Sequence, residues 1–207
     1  MSRPHDVYGT ARRGWRTRLA SPLAARTRAA RHERFFVLTG LRPGMRVVDL
    51  GCGPLGLRGL APDLDVTGVD RLPKPGYPGP FVQADVTERL PFVDGEFDLA
   101  YSSSLVEHLP RAARPGFAGE LRRVARGWYV QTPAFSFPIE PHALLPFAHW
   151  LPPRRRRAYW RLGVVGGWEQ IDLLRRREVT ALFPGGEFHA ARVLGIAKSW
   201  ITVKPVD

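Results

Sequence analysis

Apolar positions along this chain come in short continuous runs punctuated by glycine and proline. Met45, Val47 and Val48 lead into Asp49, then into Gly51 and Gly53. A β-branched run of that kind reads as a strand buried on both faces, and the glycines mark a sharp turn after it. A helix-compatible run follows from Leu55. Asp65 to Val69 is a second strand ending in Asp70, Phe81 to Asp85 a third, Phe97 to Tyr101 a fourth and Trp128 to Thr132 a fifth. Residues 71–80 hold four prolines and two glycines, which forbid a regular helix there. Leu105 to Leu109 reads as a helix capped by Ser102-Ser103-Ser104. Pro115 to Ala125 reads as another, with Phe117, Leu121 and Val124 on one stripe. Leu23 to Leu38 is a helical segment ended by Gly40. Leu173 to Phe183 is the last helix, turned by Pro184-Gly185-Gly186 into two closing strands near 187–194 and 199–204. Strands alternating with helices predict an α/β fold with a doubly wound sheet.

Chemistry concentrates at the strand ends. Glycine in the turn after the first strand can take φ > 0 and lets the backbone approach a ligand closely. Asp70 lies 21 residues beyond Asp49, at the end of the second strand, where a carboxylate is placed to accept hydrogen bonds from ribose hydroxyls. The acid precedes the glycines, as Asp-x-Gly-x-Gly. An anion there repels a pyrophosphate and instead suits the amino end of a cationic ligand, which disfavours a nicotinamide dinucleotide.

At these residues the chain resembles the class I S-adenosylmethionine-dependent methyltransferases, in particular a methyltransferase-11-like bacterial subgroup of unassigned substrate. Their first motif is (Asp/Glu)-x-Gly-x-Gly-x-Gly. Asp49, Gly51 and Gly53 match it, while Leu55 stands at the third glycine position and Gly56 follows. The resemblance implies a Rossmann-like seven-stranded sheet, mostly parallel with one antiparallel strand near the C-terminus. It implies S-adenosylmethionine as cofactor, held by Asp49, Gly51, Cys52, Gly53, Asp70, Arg71, Asp85, Val86, Ser102 and Ser103. Asp85 resembles the acid that accepts from the adenine amino group, and a turn or N-cap role is its bland alternative. Leu90-Pro91-Phe92 and Phe97-Asp98 are closely similar to the family's pattern, and Phe137 to His142 resembles the same subgroup.

The family places substrate-shaping insertions after the fifth strand, which gives an insertion at about 133–168 within a domain at 32–207. Its apolar wall carries one carboxylate and one imidazole, suiting a small or lipid-like acceptor held near a base. Ser104, Phe137, Glu140, His142 and Trp150 are the substrate candidates, against an aromatic cap that merely covers the sheet. His108 and His142 are the catalytic candidates, as bases that titrate near neutrality. Glu107 and His108 are adjacent, point about 100° apart on a helix and chelate poorly, so no metal is expected.

The formal charge is +12, from 28 Arg and three Lys against 19 acids. Codon bias explains such a preference for arginine, and an RNA or acidic-membrane footprint competes with it. Residues 1–31 form a basic arm or lid helix, and Arg154 to Arg157 open a solvated helix or grip phosphate. Cys52, the only cysteine, excludes a disulfide framework and a thiolate metal cluster. No apolar run reaches transmembrane length. The expectation is a cytoplasmic methyltransferase acting on a small-molecule or glycolipid acceptor. An RNA or protein methyltransferase docking through its arginines, and a non-catalytic cofactor-binding module, are the alternatives.

Overall fold

The computed structural model describes residues 33–163, 168 and 170–206. Nine strands are present among these: β1 Arg46–Leu50, β2 Asp65–Asp70, β3 Phe81–Gln83, β4 Phe97–Ser103, β5 Ala125–Pro133, β6 Ile139–Glu140, β7 Leu145–Pro146, β8 Glu187–Val193 and β9 Ile196–Lys204. Seven form one sheet in the order β3-β2-β1-β4-β5-β9-β8, and β6 pairs with β7 in a small hairpin. β1 to β5 run parallel, and β9 runs antiparallel to both of its neighbours. This is the doubly wound, seven-stranded α/β sheet with one antiparallel strand that the sequence implied.

Strand alternation sends consecutive residues to opposite cores. Val48 and Leu50 join a core with Phe117 and Leu121 of α1 (Arg114–Val124) and Val179 of α3 (Arg176–Leu182). Val47 faces the other core, where Phe35 of a helical segment at 33–39 meets the rings of Tyr101 and Tyr129 edge-on. A third, smaller cluster lies off the sheet. Ala143, Leu145, Ala148, Ile171 and Leu173 pack there with Trp160 of α2 (Pro153–Trp160).

Several elements differ from the expectation. The run from Leu55 makes only a 3-10 turn, Leu57–Gly59, because Gly56 sits at φ 53 and Pro62 follows closely. Ser102 and Ser103 continue β4 rather than capping a helix. Ser104 takes φ 57, and the segment beyond is a single 3-10 turn, Val106–His108, without a side-chain cap. β3 ends at Gln83 because Asp85 starts a turn closed on Thr87. The last helix begins at Arg176 and not at Leu173, because Leu174 is drawn into a bridge with Ala134. Arg154 to Arg157 do open a helix, mostly exposed. Residues 71–80 contain no helix. The basic arm at 1–31 and most of the expected loop at 163–167 lie outside the described residues.

Candidate functional site

The turn after β1 is built on three glycines with positive φ: Gly51 at 76°, Gly53 at 58° and Gly56 at 53°. A Cβ on Gly56 would stand 2.2 Å from Asp49 Oδ2, so the backbone passes directly over that carboxylate. Gly56 thus makes the close approach expected of the third motif glycine, one position later than the pattern. Asp49 is 1% exposed and its Oδ2 accepts from the Leu57 amide at 2.6 Å. Burial, only partly offset by that hydrogen bond, pushes its carboxyl up to about 7, and nearby Asp70 adds to the rise. Among the described residues Asp49 has no cationic partner within salt-bridge distance. A cationic ligand seated above the turn supplies the missing charge, so the residues fit S-adenosylmethionine.

Cys52 sits inside this turn, between Gly51 and Gly53. Its amide and that of Gly51 both donate to the Val69 carbonyl, at 3.1 and 2.8 Å. Its thiol is buried, and burial followed by the charges of Asp49 and Asp70 pushes it up to about 12, which leaves it inert. Asp70, at the end of β2, accepts from the Gly53 amide at 3.1 Å and the Leu72 amide at 2.9 Å, and pairs with Lys74 at 3.3 Å. The carboxylate is thus tied to the glycine turn across the gap between β1 and β2.

Asp85 Oδ1 accepts from the Thr87 hydroxyl at 2.7 Å and its amide at 2.9 Å, bonds that hold the acid below its ordinary value. The turn role is therefore realised at Oδ1, and Oδ2 accepts no hydrogen bond from the described residues. The Val86 side chain is buried in the core, which leaves only its backbone to face a ligand. Arg71 is exposed, its carbonyl accepting from Gln83. Ser102 is 1% exposed, and its hydroxyl donates to the Leu50 carbonyl at 3.0 Å, pinning β4 to β1.

Beyond β4 and β5 lies a cavity of about 140 Å³. Ser104 and Phe137, two of the substrate candidates, line it together with Gln131, Ile139, Lys198 and Ser199. The last two were missed because they arrive from β9, distant in the chain. Trp150 does not line it. Its ring is exposed and its indole N–H donates to the Phe135 carbonyl at 2.9 Å.

The hairpin segment divides its side chains between two settings. Phe137, Ile139 and Pro141 line this cavity, while Glu140 and His142 belong to an ionisable cluster. There His142 Nδ1 lies 2.8 Å from Glu140 Oε1, and its Nε2 lies 4.0 Å from Glu107 Oε1. His108 and His142 rings meet edge-to-face at 4.9 Å. Glu107, His108 and His142 thus converge, with donor atoms within 4.8 Å of one another, which their separation in sequence did not suggest. Glu107 is 1% exposed. Its Oε2 accepts from the Thr132 hydroxyl at 2.9 Å, and its Oε1 has no hydrogen-bond partner among the described residues. Burial raises the Glu107 carboxyl, against the attraction of His108 and His142. Glu140 is also buried, but hydrogen bonds from His142 and the Ala143 amide outweigh that burial and hold it low.

A glycine turn over a buried acid, at the carboxyl edge of a sheet with one reversed strand, is the arrangement of the class I methyltransferase fold. Residues 48–127 match the family model described as a methyltransferase domain. A structure of an S-adenosylmethionine-dependent methyltransferase from Methanosarcina mazei is similar, at 16% identity and a TM-score of 0.53, with 79% of this chain and 92% of that one covered. One from Aquifex aeolicus is 15% identical with a TM-score of 0.52, covering 83% and 88%. Magnesium protoporphyrin IX methyltransferase of Synechocystis PCC 6803, solved with bound S-adenosylmethionine, is 14% identical with a TM-score of 0.56, covering 96% and 88%. No curated protein matches. The chain therefore shares the fold of these S-adenosylmethionine-dependent methyltransferases, with the family match confined to residues 48–127. Among the described residues no helix is long and apolar enough to cross a membrane.

Proposed function

We propose that this protein transfers a methyl group from S-adenosylmethionine to a small-molecule acceptor seated in the cavity beside Ser104. The observation that carries the reading is the linked pair of carboxylates at one rim. Asp49 is buried and uncompensated, and Asp70 is tied to the same glycine turn. When bound, S-adenosylmethionine supplies a sulfonium methyl already activated for in-line transfer. The chain's own task is then to orient and to exclude water. Asp49 offers charge to the cationic end, Asp70 its remaining acceptor capacity to the ribose, and Asp85 Oδ2 an acceptor to the adenine amino group. Gly51 and Gly53 give the backbone room, and Arg71, Val86 and Ser103 complete the rim.

Where the acceptor must lose a proton, His142 takes it. Glu140 holds Nδ1–H and leaves Nε2 as the base, and Glu107 lies on the side where imidazolium charge would develop. His108, packed against the His142 ring, is the second candidate. The segment 133–168 shapes the acceptor site, and the setting is the cytoplasm of a bacterium.

Calorimetric titration with S-adenosylhomocysteine tests the cofactor site, and transfer of tritiated methyl into fractionated extracts tests the acceptor. Saturable binding with label in small molecules is expected. Label entering RNA, with binding that weakens steeply in salt, would favour the arginine-docking reading instead. Absence of S-adenosylhomocysteine binding would refute the assignment altogether.

A further inference from the structure

A second, larger cavity of about 560 Å³ opens where Trp200 of β9 meets the start of α3. Arg175, Arg176 and Arg177 line it together with Phe135, Ser136, Trp200 and Thr180. Among the described residues, none of these arginines has a carboxylate partner within salt-bridge distance, whereas Arg111, Arg114, Arg123 and Arg126 each have one. The two nearest acids are engaged elsewhere. Asp172 is held by Arg111 and Arg114, and Glu178 accepts from the Arg175 amide at 2.7 Å.

The cationic heads are nevertheless held in place. Arg175 lies over the Phe135 ring at 4.1 Å, and Arg176 over Phe188 at 4.8 Å. Cation–π contact of this kind positions a guanidinium without neutralising it. The Trp200 indole N–H donates to the Leu174 carbonyl at 3.0 Å, which fixes the ring as an apolar wall. Like charges gathered in one concavity repel one another, and an anion bound there relieves that cost. Planar guanidiniums also match the oxygen geometry of phosphate and carboxylate.

The segment after β5 contributes to both cavities, Phe135 and Ser136 to the larger and Ala134 and Phe137 to the smaller, while Trp200 and Ser199, consecutive on β9, line the larger and the smaller from opposite faces of the sheet. We propose that the arginine cavity binds the anionic end, phosphate or carboxylate, of an acceptor with a flat apolar body. This rests on the methyltransferase reading for the word acceptor, although the anion site itself does not.

Calorimetric titrations with phenyl phosphate, benzoate and inorganic phosphate at low salt test the proposal. Saturable one-site binding is expected for phenyl phosphate or benzoate, at least fivefold tighter than for inorganic phosphate, and the tighter of the two names the anion. The Arg175→Gln/Arg177→Gln double variant should lose tenfold or more of that affinity while its affinity for S-adenosylhomocysteine is unchanged. Thr180→Glu, which puts a carboxylate into the cavity and removes no arginine, should lose as much. Undiminished anion binding in both variants, no saturable binding in the wild type, or displacement of phenyl phosphate by single-stranded RNA with a many-charge salt dependence would overturn the proposal. Anion binding without S-adenosylhomocysteine binding would leave the arginine site standing and refute the methyltransferase reading instead.

Discussion

At Gly56 both the φ of 53° and the 2.2 Å approach to Asp49 Oδ2 exclude a side chain. Gly56→Ala must move either the turn or the acid, and a loss of about 2 kcal/mol or more in urea unfolding is expected. Asp49 itself makes stability depend on pH. Its folded carboxyl stands at about 7 against an ordinary 3.8, so the native state binds the extra proton between those values. The contribution of this group is greatest below pH 4, falls as pH rises from about 4 to about 7, and is level above that. Affinity for S-adenosylmethionine should run the opposite way, rising through pH 7 as the acid ionises. Asp49→Asn should flatten both trends in thermal melts and titrations. Asp70 gives a third residue-level test. Its truncation to Ala removes hydrogen bonds to Gly53 and Leu72, and should weaken S-adenosylhomocysteine binding over tenfold, or about 1.4 kcal/mol, in calorimetry.

Among the elements, the five parallel strands were legible because short β-branched or aromatic runs bounded by glycine, proline or acids mark each one, most plainly in β1 and β4, whose cores are buried on both faces. The glycine turn and its two acids were legible for a related reason: local spacing fixes their position on the sheet. The short helices were not. Leu55 onward has a helix-compatible composition, yet Gly56, Gly59 and Pro62 confine it to one turn. Ser104 has a hydroxyl suited to a cap, but its φ of 57° turns the chain elsewhere. The cavity wall from Lys198 and Ser199, the contact between His142 and Glu107, and the Arg175 to Arg177 cluster depend on contacts remote in sequence, which no local pattern encodes. One such tertiary clamp is Arg123 of α1. It donates to the carbonyls of Leu90 and Phe92 and pairs with Glu120 and Asp94, tying the segment before β4 to the helix. Arg123→Ala should cost about 2 kcal/mol and lower the melting temperature by on the order of 5 °C, whereas Arg122→Ala, whose side chain donates to the Ala118 carbonyl one turn back on the same helix, should change little.

Over the molecule as a whole, +12 charges with few counter-acids make self-repulsion a standing cost of compactness. The melting temperature should therefore rise by a few degrees between 20 and 200 mM sodium chloride at pH 7, as the screening length shortens to roughly 7–8 Å. A fold held mainly by attractive surface pairs would show the opposite trend in differential scanning fluorimetry. The satellite cluster around Trp160 also has a consequence at this scale. Ala143, Leu145, Ala148, Ile171 and Leu173 bury one another without recruiting the sheet's two main cores. That portion of chain is to that extent a cassette. If it meets the acceptor as proposed, a lineage could retailor the acceptor by exchanging it, and leave the glycine turn and its acids intact.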